Sequence, residues 1–108
     1  MQSDTQFYSV YVTAADGDEA LRLARMCVEK RLAACGNVIG AVRSVFRWEG
    51  AVREAGEAVL LLKTTGARLA ALKDAIAGAH SYDCPCIVAL PLADGHPSFL
   101  EWLAAAVE

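Results

Sequence analysis

The 108-residue sequence lacks any apolar run long enough to cross a membrane, since its longest aliphatic stretches, such as Ala58 to Leu62, fall far short of the ~20 residues a spanning helix needs. It also lacks a basic excess. With 10 Lys and Arg against 13 Asp and Glu, a net charge of -3 and a pI near 5.3, it offers no basic stripe for phosphates, which argues against nucleic acid as a partner. The polar opening Met1-Gln2-Ser3-Asp4-Thr5-Gln6 has no basic-then-apolar signal pattern, so a cytoplasmic location is expected. In that reducing compartment the four cysteines, Cys27, Cys35, Cys84 and Cys86, are expected as thiols rather than disulfides. There is no C-x-x-C pair and no internal repeat. Neither a Ser/His/Asp set, paired catalytic carboxylates nor a P-loop is evident, and no enzyme is expected.

What the sequence has in excess is aliphatic side chains. Hydrophobic residues make up 56% of the chain and the mean hydropathy is +0.32, more than one small domain (residues 1–108) needs for its own core. The surplus predicts a surface shared between subunits. It is concentrated in two long strands, Asn37 to Trp48 and Ala51 to Lys63, joined at Glu49-Gly50, where glycine supplies the positive φ of a tight hairpin. In the second strand Ala58, Leu60 and Leu62 face one side and Val59 and Leu61 the other, so both faces avoid water. The helices of this chain suffice to cover one of them.

Phe7 to Thr13 reads as a first strand, rich in aromatic and β-branched residues. Asp16, with Glu19 in the capping-box position, opens a helix that buries Ala20, Leu23, Ala24, Cys27, Val28 and Leu32 and is expected to run to about Ala34 and stop at Gly36. Gly56 predicts a bulge or bend where the hairpin tip leaves the sheet, with Arg53, Glu54 and Glu57 keeping that tip solvated. A second helix from Thr65 or Gly66 to Gly78 buries Leu69, Leu72 and Ile76, and Cys86 to Leu90 is a last strand between two prolines. Ser98 with Glu101 predicts a capping box for a tail helix burying Phe99, Trp102, Leu103 and Ala106. The order β-α-β-β-α-β plus a C-terminal helix is the ferredoxin-like α+β arrangement, an antiparallel sheet with both main helices on one face. RNA-binding proteins of that topology show aromatic platforms on the bare face. The central strand here offers Val59 to Leu62 instead, so self-association is the simpler cover.

Two groups of residues carry possible chemistry. His80, Asp83, Cys84 and Cys86 lie within seven residues and combine imidazole, carboxylate and thiol, a ligand set suited to copper or zinc. The bland alternative makes Cys84 and Cys86 small hydrophobes at a strand start. Cys27, on the apolar helix face, is expected to pack. Arg31, Cys35, Trp48, Glu49, Lys63 and Tyr82 sit at the ends of elements, where copies of the chain would bring them towards shared clefts. There they would either hold a small anion, with an aromatic ring to stack on, or serve as ordinary interface residues. His96, beside Gly95 and Pro97, reads as a solvated turn residue.

Val10-Tyr11-Val12-Thr13-Ala14, Arg31-Leu32-Ala33-Ala34-Cys35-Gly36-Asn37, Trp48-Glu49-Gly50, Leu61-Leu62-Lys63-Thr64, His80-Ser81-Tyr82-Asp83-Cys84-Pro85 and Phe99-Leu100-Glu101-Trp102-Leu103 stand in an order and spacing that resemble the CutA family of divalent-cation tolerance proteins. The resemblance covers nearly the whole chain. It implies a ferredoxin-like protomer in a tight homotrimer, akin in architecture to PII signalling proteins, and an association with copper and other divalent cations. The family commonly reads His-Pro-Tyr-Glu-x-Pro where this chain has His80-Ser81-Tyr82-Asp83-Cys84-Pro85. Some members have a cysteine in place of Val12 and a second histidine in place of Ala79, so of the implied copper site only His80 carries over.

Overall fold

The computed structural model describes residues 5–108, so the start at Met1 to Asp4 lies outside the described residues. Seven elements follow one another: β1 (Phe7–Ala14), α1 (Gly17–Glu29), β2 (Cys35–Trp48), β3 (Ala51–Thr65), α2 (Gly66–Ala79), β4 (Ile87–Pro91) and α3 (Pro97–Ala106). The strands form one antiparallel sheet in the order β2-β3-β1-β4. This is the ferredoxin-like arrangement expected from the sequence.

Alternation along the strands makes the core. Val10, Val12 and Ala14 stand opposite Leu62, Leu60 and Ala58, and this face packs against Leu23, Ala24 and Cys27 of α1 and Leu72 and Ile76 of α2. Leu23, Leu60, Leu62 and Leu72 are fully buried, each contributing roughly 2 kcal/mol. Gly36 lets α1 approach the sheet: a Cβ there would lie 2.9 Å from Leu62 Cδ2 and 3.1 Å from the Ala24 methyl group. On the opposite face α3 closes a small second cluster of Ala34, Leu103 and Val107 with Phe7. Val59 of β3 is shielded within the chain at 5% exposure, so the surplus apolar surface lies on the flanking strands, where Ile39, Val88 and Leu90 remain about half exposed.

Four local expectations are corrected. α1 ends at Glu29, not near Ala34, because Arg31 adopts φ 58°. The Leu32 and Arg31 amides donate to the Cys27 and Val28 carbonyls, a Schellman closure with arginine in the position that favours glycine. The expected burial of Val28 fails with it, since the residue is exposed. α3 begins at Pro97 behind His96 with no side-chain cap, so Ser98 and Glu101 form no capping box, and Phe99 and Trp102 stay exposed. β2 starts at Cys35 and β4 at Ile87, so Cys86 lies just before its strand.

The fourth correction bears on function. The sheet irregularity falls between Ile39 and Val42, not at Gly56. Gly40 and Ala41 together oppose Ala58, and Ala41 takes φ 53°. One extra residue reverses the alternation of β2. Beyond it Ser44, Phe46 and Trp48 share the face of Glu57 and Val59, a side that Arg43, Val45 and Arg47 would otherwise hold. The Val42 to Glu57 ribbon then projects to a tip where Glu49 and Gly50 both have positive φ, and the molecule measures 52 × 25 × 22 Å.

Candidate ligand cleft

Helix α2 delivers the chain into His80 to Cys86, a segment without strand or helix, whose first half is clamped and whose second half is not. Glu19 of α1 is the clamp. Its backbone N–H donates to Asp16 Oδ1 at 2.8 Å, as the helix-start signature predicts, but its carboxylate does more than close the cap. It accepts from the Ala15 N–H at 2.9 Å and, across the fold, from the Ser81 N–H at 2.8 Å and Ser81 Oγ at 2.9 Å. Burial alone would raise the pKa of this carboxyl. The donors from Ala15 and Ser81 outweigh burial and hold it below 4.5, the ordinary value.

His80 is set by the same clamp. Its side chain is fully buried, Nε2 lies 2.8 Å from the Thr13 carbonyl oxygen, and Nδ1 accepts the Tyr82 N–H at 3.0 Å. A carbonyl only accepts and an amide N–H only donates, so the ring is neutral with its proton on Nε2. Both nitrogens are thereby committed. The imidazole tilts against the Tyr82 ring at a centroid separation of 4.8 Å, and Tyr82 reaches over to donate its hydroxyl to Glu57 Oε2 at 2.7 Å. Burial, then the hydrogen bond to Glu57 and the charge there, push the phenol up to about 12. Tyr82 is therefore a neutral donor through the physiological range.

Beyond Tyr82 the chain opens onto a cleft of about 680 Å3 between the sheet face, the root of the ribbon and the segment ending in Cys86. Tyr11, Thr13 and Glu57 floor it, Phe46 and Trp48 wall one side with Ser44 and Arg47, and Tyr82, Asp83, Cys84 and Cys86 wall the other. Phe46 and Trp48 share the face of Glu57 because of the Gly40-Ala41 bulge. Asp83, Cys84 and Cys86 are exposed.

Among the residues singled out from the sequence, the cleft thus gathers Trp48, Tyr82, Asp83, Cys84 and Cys86. It does not gather the others. His80 lies behind Tyr82 with its nitrogens occupied, and among the described residues no three His, Cys, Asp or Glu side chains form a group that could hold a metal ion. Arg31 is exposed at the end of α1, Cys35 is half-buried, Lys63 donates to Asn37 Oδ1 at 3.3 Å, and Glu49 lies at the ribbon tip 3.9 Å from Arg53. Cys27 is buried and its thiol is pushed up to about 11 by that burial, in keeping with packing. Exposed His96 precedes α3 as a turn residue. Sequence reasoning missed Glu19 as a clamp and placed Glu57 in solvent. The strand alternation that puts Glu57 on the side of Val59 was the available signal for it, whereas Phe46 required the bulge to be located first.

Comparisons with known proteins add a family context. The model of the family described as CutA1 divalent ion tolerance protein matches residues 8–106. A divalent-cation tolerance protein CutA from Archaeoglobus fulgidus is 39% identical over 99 residues, covering 92% of this chain and 96% of that protein. The solved divalent cation tolerance protein Cut A1 of Thermus thermophilus superposes with a TM-score of 0.92 at 38% identity over 94% of this chain and 99% of its own. A second solved structure, described as the periplasmic divalent cation tolerance protein CutA of A. fulgidus, gives 0.91 at 38% identity over 94% and 99% of the two chains.

Proposed function

Because the chain belongs to the CutA1 divalent ion tolerance protein family, we propose that it serves in divalent-cation tolerance as a non-enzymatic, cytoplasmic homotrimer whose ligand site is the cleft beside Tyr82. The observation that carries this reading is the convergence of Asp83, Cys84 and Cys86 on that cleft, in a chain whose residues 8–106 match the divalent ion tolerance family. Copper or zinc is the cation. His80 holds the wall rather than the ion, because a metal at either ring nitrogen would have to displace the Thr13 carbonyl or the Tyr82 amide. A single chain presents no preformed three-donor group among the described residues, so the reading has copies of the chain complete the coordination. Support for assembly comes from Ile39, Val88 and Leu90 on the open sheet face and from Val45 and Val52 on the ribbon, all exposed in the protomer.

The test is sedimentation followed by calorimetric titration of the reduced protein with Zn(II), since Cu(II) would oxidise the exposed thiols and add heat of its own. A mass of three chains and a heat of binding weakened by Asp83→Asn are the expected results. A stable single chain removes the assembly, and an absence of zinc heat removes the cation site.

A second reading has its own observation. The aromatic walls Phe46, Trp48 and Tyr82 suit a flat organic ligand, as in a PII-like sensor. A thermal-shift screen with nucleotides and small anions separates the two, because a ligand that binds only the folded state raises the melting temperature.

A further inference from the structure

The geometry points to Cys84 and Cys86 as a two-thiolate site for a soft monovalent ion, copper(I), on the wall of the cleft. The inference rests on the reading of that cleft as metal-facing but not on a divalent cargo. The four cysteines are not equivalent: Cys27 is buried and Cys35 half-buried, whereas Cys84 and Cys86 are both exposed and both line one cleft. They flank Pro85 in a segment outside any strand, immediately before Ile87 pairs with Val12. Only one residue separates the two cysteines, and the ring of Pro85 fixes φ between them, so the pair is held in a narrow range of conformations.

The rest of the surroundings favours two donors over four. Zinc in closed sites takes four ligands in a tetrahedron. Here His80 is withheld by its two hydrogen bonds, and no group of three His, Cys, Asp or Glu is assembled among the described residues. Soft thiolates select copper(I), which is satisfied by two of them. Exposed Asp83 on the same wall adds negative charge without being needed as a ligand. Binding replaces two S–H bonds by two S–Cu bonds and releases two protons to the buffer, with no change in oxidation state.

The experiment is an anaerobic competition in which the full-length reduced protein withdraws copper(I) from its coloured bicinchoninate complex. Copper(II) is kept out, because two such ions would oxidise the pair to a disulfide. One copper(I) per chain is expected. Either Cys84→Ser or Cys86→Ser should weaken capture by about 100-fold or more, beyond the roughly 10–100-fold that outer-shell changes produce. Cys35→Ser should capture at parental strength, and circular dichroism melting of both cleft variants should match the parent, since these thiols are exposed. Capture unchanged in either cleft variant, or no capture by the parent, overturns the inference. A zinc titration in parallel keeps the two readings apart: zinc heat without copper(I) capture sinks the thiol pair and leaves the divalent site standing. Copper(I) capture that depends on both cysteines, without zinc heat, upholds the pair and sinks the divalent site.

Discussion

The body of the sheet and the ribbon that leaves it are made of the same two strands, yet different forces shape them. In the body, β3 lies between β2 and β1, its inner face is sealed by α1 and α2, and Leu60 and Leu62 are inaccessible. In the ribbon the strands have only each other, and Val45 and Val52 are 67% and 63% exposed. A two-stranded hairpin alone is marginal in water. Burial therefore dictates the register of the body, while the ribbon inherits its facing from one irregularity at Gly40-Ala41. The cleft lies on the seam, floored by the body and walled by the ribbon.

Removing that irregularity is the most drastic way to break the comparison. Deletion of Ala41 should restore strict alternation and turn Phe46 and Trp48 to the other side, abolishing one wall of the cleft while α1, α2 and the inner face of β3 stay packed. Nuclear Overhauser contacts between the Phe46 ring and the cleft residues should disappear, with core methyl resonances nearly unchanged. Loss of the core spectrum as well would mean that body and ribbon are a single unit.

Within the body, the largest energetic effect is expected at Glu19. Truncation by Glu19→Ala leaves the Ser81 and Ala15 donors without their buried acceptor and should destabilise the chain by about 2–3 kcal/mol, read by urea denaturation at fixed protein concentration. The carboxyl pKa is lowered in the fold, so its contribution is present above the ordinary carboxylate value and fades as pH falls through the lowered one. Glu19→Gln should accordingly flatten the stability profile below about pH 4.5. An unchanged acid limb would show that the clamp does not depend on charge.

A smaller loss is expected from Gly36→Ala. The added methyl meets Ala24 at 3.1 Å, where no flexible side chain can yield, as well as the mobile end of Leu62 at 2.9 Å. Overpacking of this kind typically costs about 1–2 kcal/mol. The same substitution at Gly56, where a Cβ meets nothing within 4 Å, should change the melting point little. Equal effects at the two sites would erase the distinction between a tight body and an open ribbon.

How much of this was legible in the sequence follows from the same contrast. Apolar alternation in β1 and β3 and the periodicity of α1 specify the body, and they were readable because burial writes directly into composition. The ribbon's facing was not, because Gly40 and Gly56 are equally plausible bulge sites and only pairing with a distant strand chooses between them. His80 looked like a ligand because its partners, the Thr13 carbonyl and the Tyr82 amide, are backbone groups that no side-chain pattern announces. The end of α1 was hidden for a related reason: arginine at a left-handed position carries no sequence signature.

Those left-handed residues supply the subtlest comparison. Arg31 closes α1 in the body at φ 58° and Ala41 sits at the root of the ribbon at φ 53°, so the two bear similar backbone strain. Glycine relieves about 1–2 kcal/mol of that strain and returns part of it as chain entropy, for a net gain of roughly 0.5–1 kcal/mol at either site. In the body the gain belongs to the cooperative unit, and Arg31→Gly should raise the melting temperature by a few degrees. At the ribbon root it should act on local opening instead, so Ala41→Gly should slow amide exchange along Val42 to Trp48 about threefold while leaving the melting temperature nearly fixed. An equal rise in melting temperature for both variants would mean that the ribbon unfolds with the body, which is the behaviour expected once neighbouring copies clasp it. Repeating the pair across a dilution series then reports whether assembly, rather than the chain itself, makes the ribbon part of the fold.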